Sequence, residues 1–200
     1  MLEEIWVSNL KVVFVGTCIA EESDSLGFYY LGRNNAFWDL LEYAGFTPPK
    51  FFPKAERQTL RDARATGQLS EQLRQLFFEK KESRLLALGI GLTDLNRRLV
   101  VSNDEDPKAG PTQGDIQQFM KKVEKLKPKA LGFVTSLDIF EDCFKPLYPQ
   151  ATKTRGEQAF KIHGSHVWLL GSTSGRVKDA DAREDIFDQF AAFVSELESK

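Results

Sequence analysis

Three polar segments of the sequence, each headed by a glycine, contain the residue types that a ligand pocket needs. They are Gly16 to Ala20, Gly91 to Leu95 and Gly171 to Arg176, and each follows an apolar run. Glycine lets the backbone turn or approach a ligand closely, while small hydroxyl residues and backbone N–H groups suit phosphates or base edges. We therefore predict a pocket for a nucleotide or another small molecule. The sequence contains neither Gly-x-x-x-x-Gly-Lys-Ser/Thr nor Gly-x-Gly-x-x-Gly, which excludes two common phosphate-binding loops.

Apolar runs and helical spacing predict the elements that position these segments. Continuous apolar runs predict strands at residues 12–15, 85–90, 130–135 and 166–170. Apolar positions at helical spacing predict helices at residues 36–43, 69–82, 113–127, 139–144 and 182–197. Strands that alternate with helices are typical of a parallel sheet covered on both faces. We predict an α/β fold of three layers, α/β/α, with a mainly parallel four-stranded sheet. The glycine-headed segments are expected as loops at the carboxyl ends of the strands, where such folds bind ligands.

Composition and charge are typical of one globular domain. The 200 residues contain no linker or repeat, so we expect a single domain over residues 1–200, and a monomer. The apolar runs fall far short of the roughly 20 residues that cross a bilayer, and the first residues are acidic, which predicts a cytoplasmic protein without a membrane partner. Cys18 and Cys143 lack metal-ligand spacing, so no metal site is expected. The net charge of −2 argues against a protein that coats nucleic acid by charge alone.

The stretch from Gly16 to Trp38 carries the pattern of a known family. It reads as a strand that ends in glycine, an aromatic segment Gly27-Phe28-Tyr29-Tyr30, and then Asn35-Ala36-Phe37-Trp38 at the start of a helix. Further matches follow in order along the chain, at Ala44-Gly45-Phe46, Gly91 to Leu95, Leu126 to Leu131 and Val167 to Arg176. In this joint order the motifs resemble the uracil-DNA glycosylase superfamily, in particular its mismatch-specific uracil/thymine-DNA glycosylase and hypoxanthine-DNA glycosylase branches.

This resemblance implies a uracil-DNA glycosylase-like fold and a monofunctional DNA glycosylase of base excision repair. Such an enzyme hydrolyses the N-glycosidic bond of a deaminated or mismatched base, such as uracil or hypoxanthine, after the nucleotide has flipped out of the duplex. The implied partner is DNA with a damaged or mismatched base. No metal or organic cofactor is implied.

The first motif departs from the family pattern at its third position. The mismatch-specific enzymes have an asparagine there that orients the attacking water, whereas this chain has Cys18, followed by Ile19 and Ala20. A thiol cannot replace a carboxamide, which both donates and accepts hydrogen bonds. Resemblance to the hypoxanthine branch, in the tyrosine pair and the Ser-Thr-Ser segment, implies Asn35 as the water-positioning residue. Acids in the loop at residues 21–24, namely Glu21, Glu22 and Asp24, remain an alternative.

The other site residues are assigned on the same resemblance. The catalytic set is Asn35, Thr17 and Cys18, the last two through backbone N–H groups near the leaving base. The base-binding set is Gly16, Phe28, Tyr30 and Asn34, with the Tyr30 ring stacked on the flipped base. The DNA-binding set is Ser172, Thr173, Ser174, Gly175 and Arg176; the first three would hold phosphates, and Arg176 would wedge into the emptied stack.

Ordinary structural roles compete with these assignments. Asn35 is suited to cap the helix that begins at Ala36, Tyr29 and Tyr30 to fill the core, and Cys18 to fill a small buried space. The acidic loop at residues 21–24 is also consistent with a solvated surface. Two other functions therefore stay open: a non-catalytic glycosylase-like module that binds a modified base or nucleotide in DNA, and an altered enzyme that acts on a free nucleoside.

Overall fold

The computed structural model describes residues 2–101, 109–175 and 180–199, with the backbone alone at residues 71–74, 76 and 180. The strands in this part of the chain are β1 (Val12–Ala20), β2 (Ile90–Val101), β3 (Ala130–Phe133), β4 (Gly156–Ile162) and β5 (Ser165–Leu169). The helices are α1 (Glu21–Leu26), α2 (Phe37–Tyr43), α3 (Lys54–Ala65), α4 (Glu71–Ala87), α5 (Gln113–Leu126), α6 (Leu137–Phe144) and α7 (Ala180–Glu198). Within the described ranges, no helix combines the length and the apolar character needed to cross a membrane.

The strands form one sheet in the order β2-β1-β3-β5-β4. Strands β2, β1, β3 and β5 run parallel, whereas β4 pairs antiparallel with β5. The prediction of an α/β fold with a mainly parallel sheet is confirmed, but the count of four strands is wrong because β4 adds a fifth. In β4 the buried residues Gln158, Phe160 and Ile162 alternate with exposed ones. A search for continuous apolar runs misses such a half-exposed edge strand.

Different helices cover the two faces of the sheet. Val12 and Phe14 of β1 lie in one core with residues of α2, α4 and α7. Val13 and Val15 lie in a second core with residues of α5 and α6. Successive residues of a strand point to opposite faces, so β1 contributes to both cores. The sheet is therefore the middle layer of an α/β/α arrangement.

The strand predicted at residues 85–90 is largely wrong. Helix α4 continues through Leu85 and Leu86 to Ala87, and the chain turns at Gly89, whose φ is +75°, before β2 begins at Ile90. The apolar run spans the partly buried end of a helix and the first residue of a strand. A short run of this kind does not distinguish the two structures.

Two of the three glycine-headed segments that were expected as loops lie within strands instead. The segments Gly16 to Ala20 and Gly91 to Leu95 lie inside β1 and β2, while residues 171–175 lie outside helices and strands as predicted. The polar segment that begins at Glu21 forms helix α1 rather than a loop. Acidic residues in a first turn favour a helix through its dipole, and Gly27, at φ 90°, ends α1 in the left-handed conformation.

Candidate functional site

A cleft of ≈ 570 Å³ opens at the carboxyl ends of β1, β3 and β5. This is the position at which open α/β sheets bind ligands. Its walls come from several parts of the chain: Leu2, Gly16 to Ala20 of β1, Glu22 and Ser23 of α1, residues 29–30 and 32–35, Asp94 of β2, three residues between 134 and 139, and residues 172–175. Most of the candidate residues identified from the sequence therefore line one cavity.

A carboxylate lies at the floor of this cleft. Asp94 of β2 pairs with Gly16 of β1 and has only 5% of its surface exposed. A Cβ atom on Gly16 would lie 2.1 Å from Oδ1 of Asp94 and 3.0 Å from the Tyr30 hydroxyl, so residue 16 must be glycine for the carboxylate to keep this place. Gly16, Asp94 and the Tyr30 hydroxyl thus meet at one point of the floor.

Tyr29 and Arg97 lie close to the same carboxylate. An Arg97 Nη1 donates a hydrogen bond of 2.7 Å to the Tyr29 hydroxyl, and Nη2 donates to the carbonyl oxygen of Leu2. Burial, and next the negative charge of Asp94, raise the pKa of Tyr29 far above its ordinary value, although Arg97 acts in the opposite direction. Tyr29 is therefore a neutral phenol at physiological pH.

Tyr30 and Phe28 have different environments although both are assigned to base binding. The Tyr30 ring lines the cleft and stacks on Phe37 with a centroid distance of 3.9 Å. Phe28 is 3% exposed and stacks on Phe78 at 4.8 Å inside the aromatic core, away from the cleft walls. The structure does not bring Phe28 to the site, while Tyr30, which lies in a turn at a positive φ of 55°, does line it.

Asn35 lines the cleft and also supports helix α2. Its Oδ1 accepts a 2.9 Å hydrogen bond from the backbone N–H of Phe37, the first residue of α2. The same oxygen accepts a 2.9 Å hydrogen bond from the hydroxyl of Thr173. The N-cap of α2 is Ala36 rather than Asn35, but the Asn35 oxygen still accepts from the first N–H of the helix while its side chain lines the cleft.

The segments 32–36 and 172–175 are locked together as one wall of the cleft. The backbone N–H of Ala36 donates to the carbonyl of Thr173 at 3.0 Å. A Cβ atom on Gly175 would lie 2.3 Å from Cβ of Asn34, so only glycine permits this approach. Ser172, Thr173 and Ser174 all border the cleft, and the Ser174 N–H donates to the Ser172 hydroxyl at 3.2 Å, but Thr173 is only 2% exposed. Arg176 lies outside the described residues.

Thr17 and Cys18 line the cleft from β1. The Thr17 and Thr135 hydroxyls share a 2.5 Å hydrogen bond. Cys18 packs in a small core with Val101 and Ala109, as expected for a buried filler. The register of β1 against β2 shifts directly after Cys18, and irregularities of this kind often occur beside active sites.

The acids at the start of α1 differ in their relation to the cleft. Glu22 lines the cleft, and its Oε2 accepts a 3.2 Å hydrogen bond from the backbone N–H of Arg33. Ser23 supports the same segment, because its hydroxyl accepts from the N–H of Leu31 at 3.2 Å. Glu21 is exposed. Glu22 and Ser23 therefore hold the segment that carries Asn34 and Asn35.

The sequence did not single out Asp94 as a site residue. It was placed in the family-like segment Gly91 to Leu95 without a role of its own. The available signal is the residue type: a carboxylate within an apolar stretch such as Ile90 to Leu95 is rarely buried unless the fold or the function uses it. Its contact with Gly16 depends on strand pairing, which the sequence did not reveal.

Within the described part of the chain, no three residues of the types His, Cys, Asp and Glu come together as a metal site. Compared with models of protein families, the sequence matches none.

Proposed function

We propose that the protein is a monofunctional DNA glycosylase of base excision repair, which hydrolyses the N-glycosidic bond of a flipped deaminated or mismatched base such as uracil or hypoxanthine. The observation that carries this proposal is the Asp94 carboxylate at the floor of a cleft that also contains the Tyr30 ring and the Asn35 carboxamide. A carboxylate, an aromatic face and an amide are the groups that base excision requires.

Asp94 would act on the sugar side of the reaction. The oxygen of a water molecule forms a bond to C1′, its proton passes to the Asp94 carboxylate, and the electron pair of the C1′–N bond leaves with the base. The transition state resembles an oxocarbenium ion, which a nearby carboxylate stabilises in glycoside hydrolases. A general base of this kind contributes about 10²- to 10⁴-fold to a rate.

The other cleft residues would hold the flipped nucleotide. Stacking on an aromatic ring such as Tyr30 is worth roughly 1–3 kcal/mol per base. The N–H2 group of Asn35 would donate to an oxygen of the base and stabilise the charge that develops on it. Ser172, Ser174 and the exposed Arg33 at the cleft wall would contact phosphates, which position DNA without reading its sequence.

A non-catalytic module that binds a modified base is the second candidate, and two observations favour it. The strand β1 continues through Cys18, Ile19 and Ala20, where the mismatch-specific enzymes have their water-orienting asparagine. The Oδ1 atom of Asn35 accepts two internal hydrogen bonds, so it is not available to orient a water. Asp94 is the residue that decides between the two candidates.

The test is base release from end-labelled duplex and single-stranded oligonucleotides that carry uracil, hypoxanthine, xanthine or a G·T mismatch, followed by alkali. Wild type is compared with Asp94→Asn, and with Asp185→Asn as a matched change at an exposed carboxylate of α7. Strand cleavage by wild type and by Asp185→Asn, but not by Asp94→Asn, would support the glycosylase. Specific binding to one of these oligonucleotides without cleavage by wild type would contradict it and favour the binding module.

A further inference from the structure

Thr173 has an environment that does not suit contact with DNA. Its side chain is 2% exposed, and its hydroxyl donates to Oδ1 of Asn35 at 2.9 Å. Its carbonyl oxygen accepts from the N–H of Ala36 at 3.0 Å. The hydroxyl and the carbonyl of Thr173 are thus directed at the segment that carries Asn35, rather than at the solvent from which a phosphate would approach.

The hydrogen bonds of Asn35 fix which end of its carboxamide faces the cleft. The N–H of Phe37 is a backbone donor and cannot accept, so the atom opposite it must be Oδ1 and not the N–H2 group. A carboxamide oxygen has two lone pairs. Phe37 occupies one and the Thr173 hydroxyl occupies the other. The Nδ2 amino group is therefore the end of the carboxamide that is left to donate into the cleft, which Asn35 lines.

We propose that Thr173 is a specificity-determining and positioning residue, because its hydroxyl fills the second lone pair of the Asn35 oxygen and leaves Asn35 able only to donate into the cleft. This inference rests on the proposed function in one respect, namely that a flipped base enters this cleft. A donor-only Asn35 pairs with the keto oxygen of a base. The amino group at the corresponding position of cytosine or adenine would bring two donors together and lose its hydrogen bond on leaving water.

The wall around Thr173 makes this arrangement rigid. Gly175 lies against the backbone and Cβ of Asn34, and the Thr173 carbonyl is held by Ala36. Asn35 therefore cannot withdraw from Thr173 without breaking contacts on both sides. Sites that must satisfy a buried hydrogen-bonding group reject the wrong partner far more strongly than apolar pockets do.

The experiment measures binding, so that it does not depend on cleavage. The probes are oligonucleotides with uncleavable 2′-fluoro nucleotides, in which uracil is compared with cytosine, and hypoxanthine with adenine, in one sequence context. We expect wild type to prefer the keto member of at least one pair, and Thr173→Val to reduce that preference about tenfold by freeing one acceptor lone pair of Asn35. Thr173→Ser keeps the hydroxyl and should keep the preference.

The variant Asn35→Asp tests the same hydrogen bond in the opposite direction, because it replaces the donor that faces the cleft with an acceptor. A carboxylate still accepts from Phe37 and Thr173 through one oxygen, but its other oxygen accepts in the cleft where Asn35 donated. The preference should therefore invert toward the amino member of the pair. A merely structural role for Thr173 would weaken binding to both members equally and would leave the ratio unchanged.

An unchanged ratio in Thr173→Val, or a wild type without keto preference, would overturn the inference. If Thr173→Val does not fold, Thr173→Ala removes the hydroxyl without adding an apolar branch and takes its place. The outcomes are separable from those of the proposed function: loss of the keto preference in Thr173→Val supports this inference even when wild type cleaves nothing, and cleavage with an unchanged ratio supports the glycosylase alone.

Discussion

Two carboxylates of this protein are equally buried, but only one of them borders the cleft. Asp115, at the start of α5, and Asp94, at the cleft floor, are each 5% exposed. Asp115 accepts from the Thr112 N–H at 2.7 Å and from Arg98 Nε at 2.8 Å. The backbone N–H of Asp115 donates to the Thr112 hydroxyl, which completes a capping box. Asp94 instead lies against the backbone of Gly16, on a wall of a cavity.

This difference shows that burial alone does not identify a functional carboxylate. Burial acts to raise the pKa of Asp115, but hydrogen bonds from Arg98 and Thr112 outweigh it and lower the pKa below its ordinary value. Those partners belong to the helix start and to the neighbouring strand, so Asp115 stabilises the fold. A carboxylate that borders a cavity is instead placed to meet a ligand.

A large effect on the cleft side should come from Gly16→Ala. The new methyl group would lie 2.1 Å from Oδ1 of Asp94 and would displace the carboxylate from the floor. We expect base excision to fall roughly 100-fold, the size of effect that follows when a catalytic group is misplaced by about 1 Å. Single-turnover rates measure it. Gly110→Ala is the control, because a Cβ there meets nothing within 4 Å, and an equal loss in both variants would contradict the prediction.

A smaller effect should come from the Tyr30 ring. Tyr30→Leu removes the aromatic face and should weaken binding of a flipped base about tenfold, within the range reported for base–aromatic stacking. Tyr30→Phe keeps the ring and its contact with Phe37, so its affinity should stay close to that of wild type. Titration of an uncleavable oligonucleotide measures both. Equal affinities for the Leu and Phe variants would show that the ring does not stack on the base.

The smallest effect should appear on the Asp115 side, and it should be one of stability. Asp115→Asn weakens the capping box, which should cost about 1 kcal/mol in the free energy of unfolding. Because the folded-state pKa of Asp115 is lowered, its contribution is full above the ordinary Asp pKa of about 4 and is lost as the pH falls through the folded value. Denaturant unfolding at several pH values should thus show a difference between wild type and Asp115→Asn at pH 7 that shrinks below about pH 4. A difference that grows on acidification would contradict this assignment.

The fold could be predicted where the sequence repeats one pattern over a whole element. Helix α5 and strands β3 and β5 were predicted within a few residues, because their apolar residues are either periodic or continuous. Strand β4 and helix α3 were missed. The residues of β4 alternate between buried and exposed, and α3 carries few buried residues, such as Arg57 and Leu60, among many charged ones.

The sequence predicts the parts of the site that are made by residues close together in the chain. It does not predict the contacts that arise only when two strands pair in the sheet. The glycine-headed segments and the Asn35 motif pointed to residues that do line one cleft. Asp94 was overlooked because its contact with Gly16 is made across two paired strands. The sequence assigns Thr173 to DNA binding because a hydroxyl can contact a phosphate. In the structure the side chain is buried, and its hydroxyl donates to Asn35 instead.

The most direct test of the account exchanges the two carboxylates for amides and measures excision and stability in parallel. Single-turnover base release is measured for Asp94→Asn and Asp115→Asn on the oligonucleotide that wild type cleaves fastest, together with the midpoint of denaturant unfolding. We predict that Asp94→Asn loses about 10²- to 10⁴-fold in rate with little change in the midpoint, whereas Asp115→Asn keeps its rate and unfolds at lower denaturant. Excision by Asp94→Asn at the wild-type rate would contradict the central role given to this carboxylate.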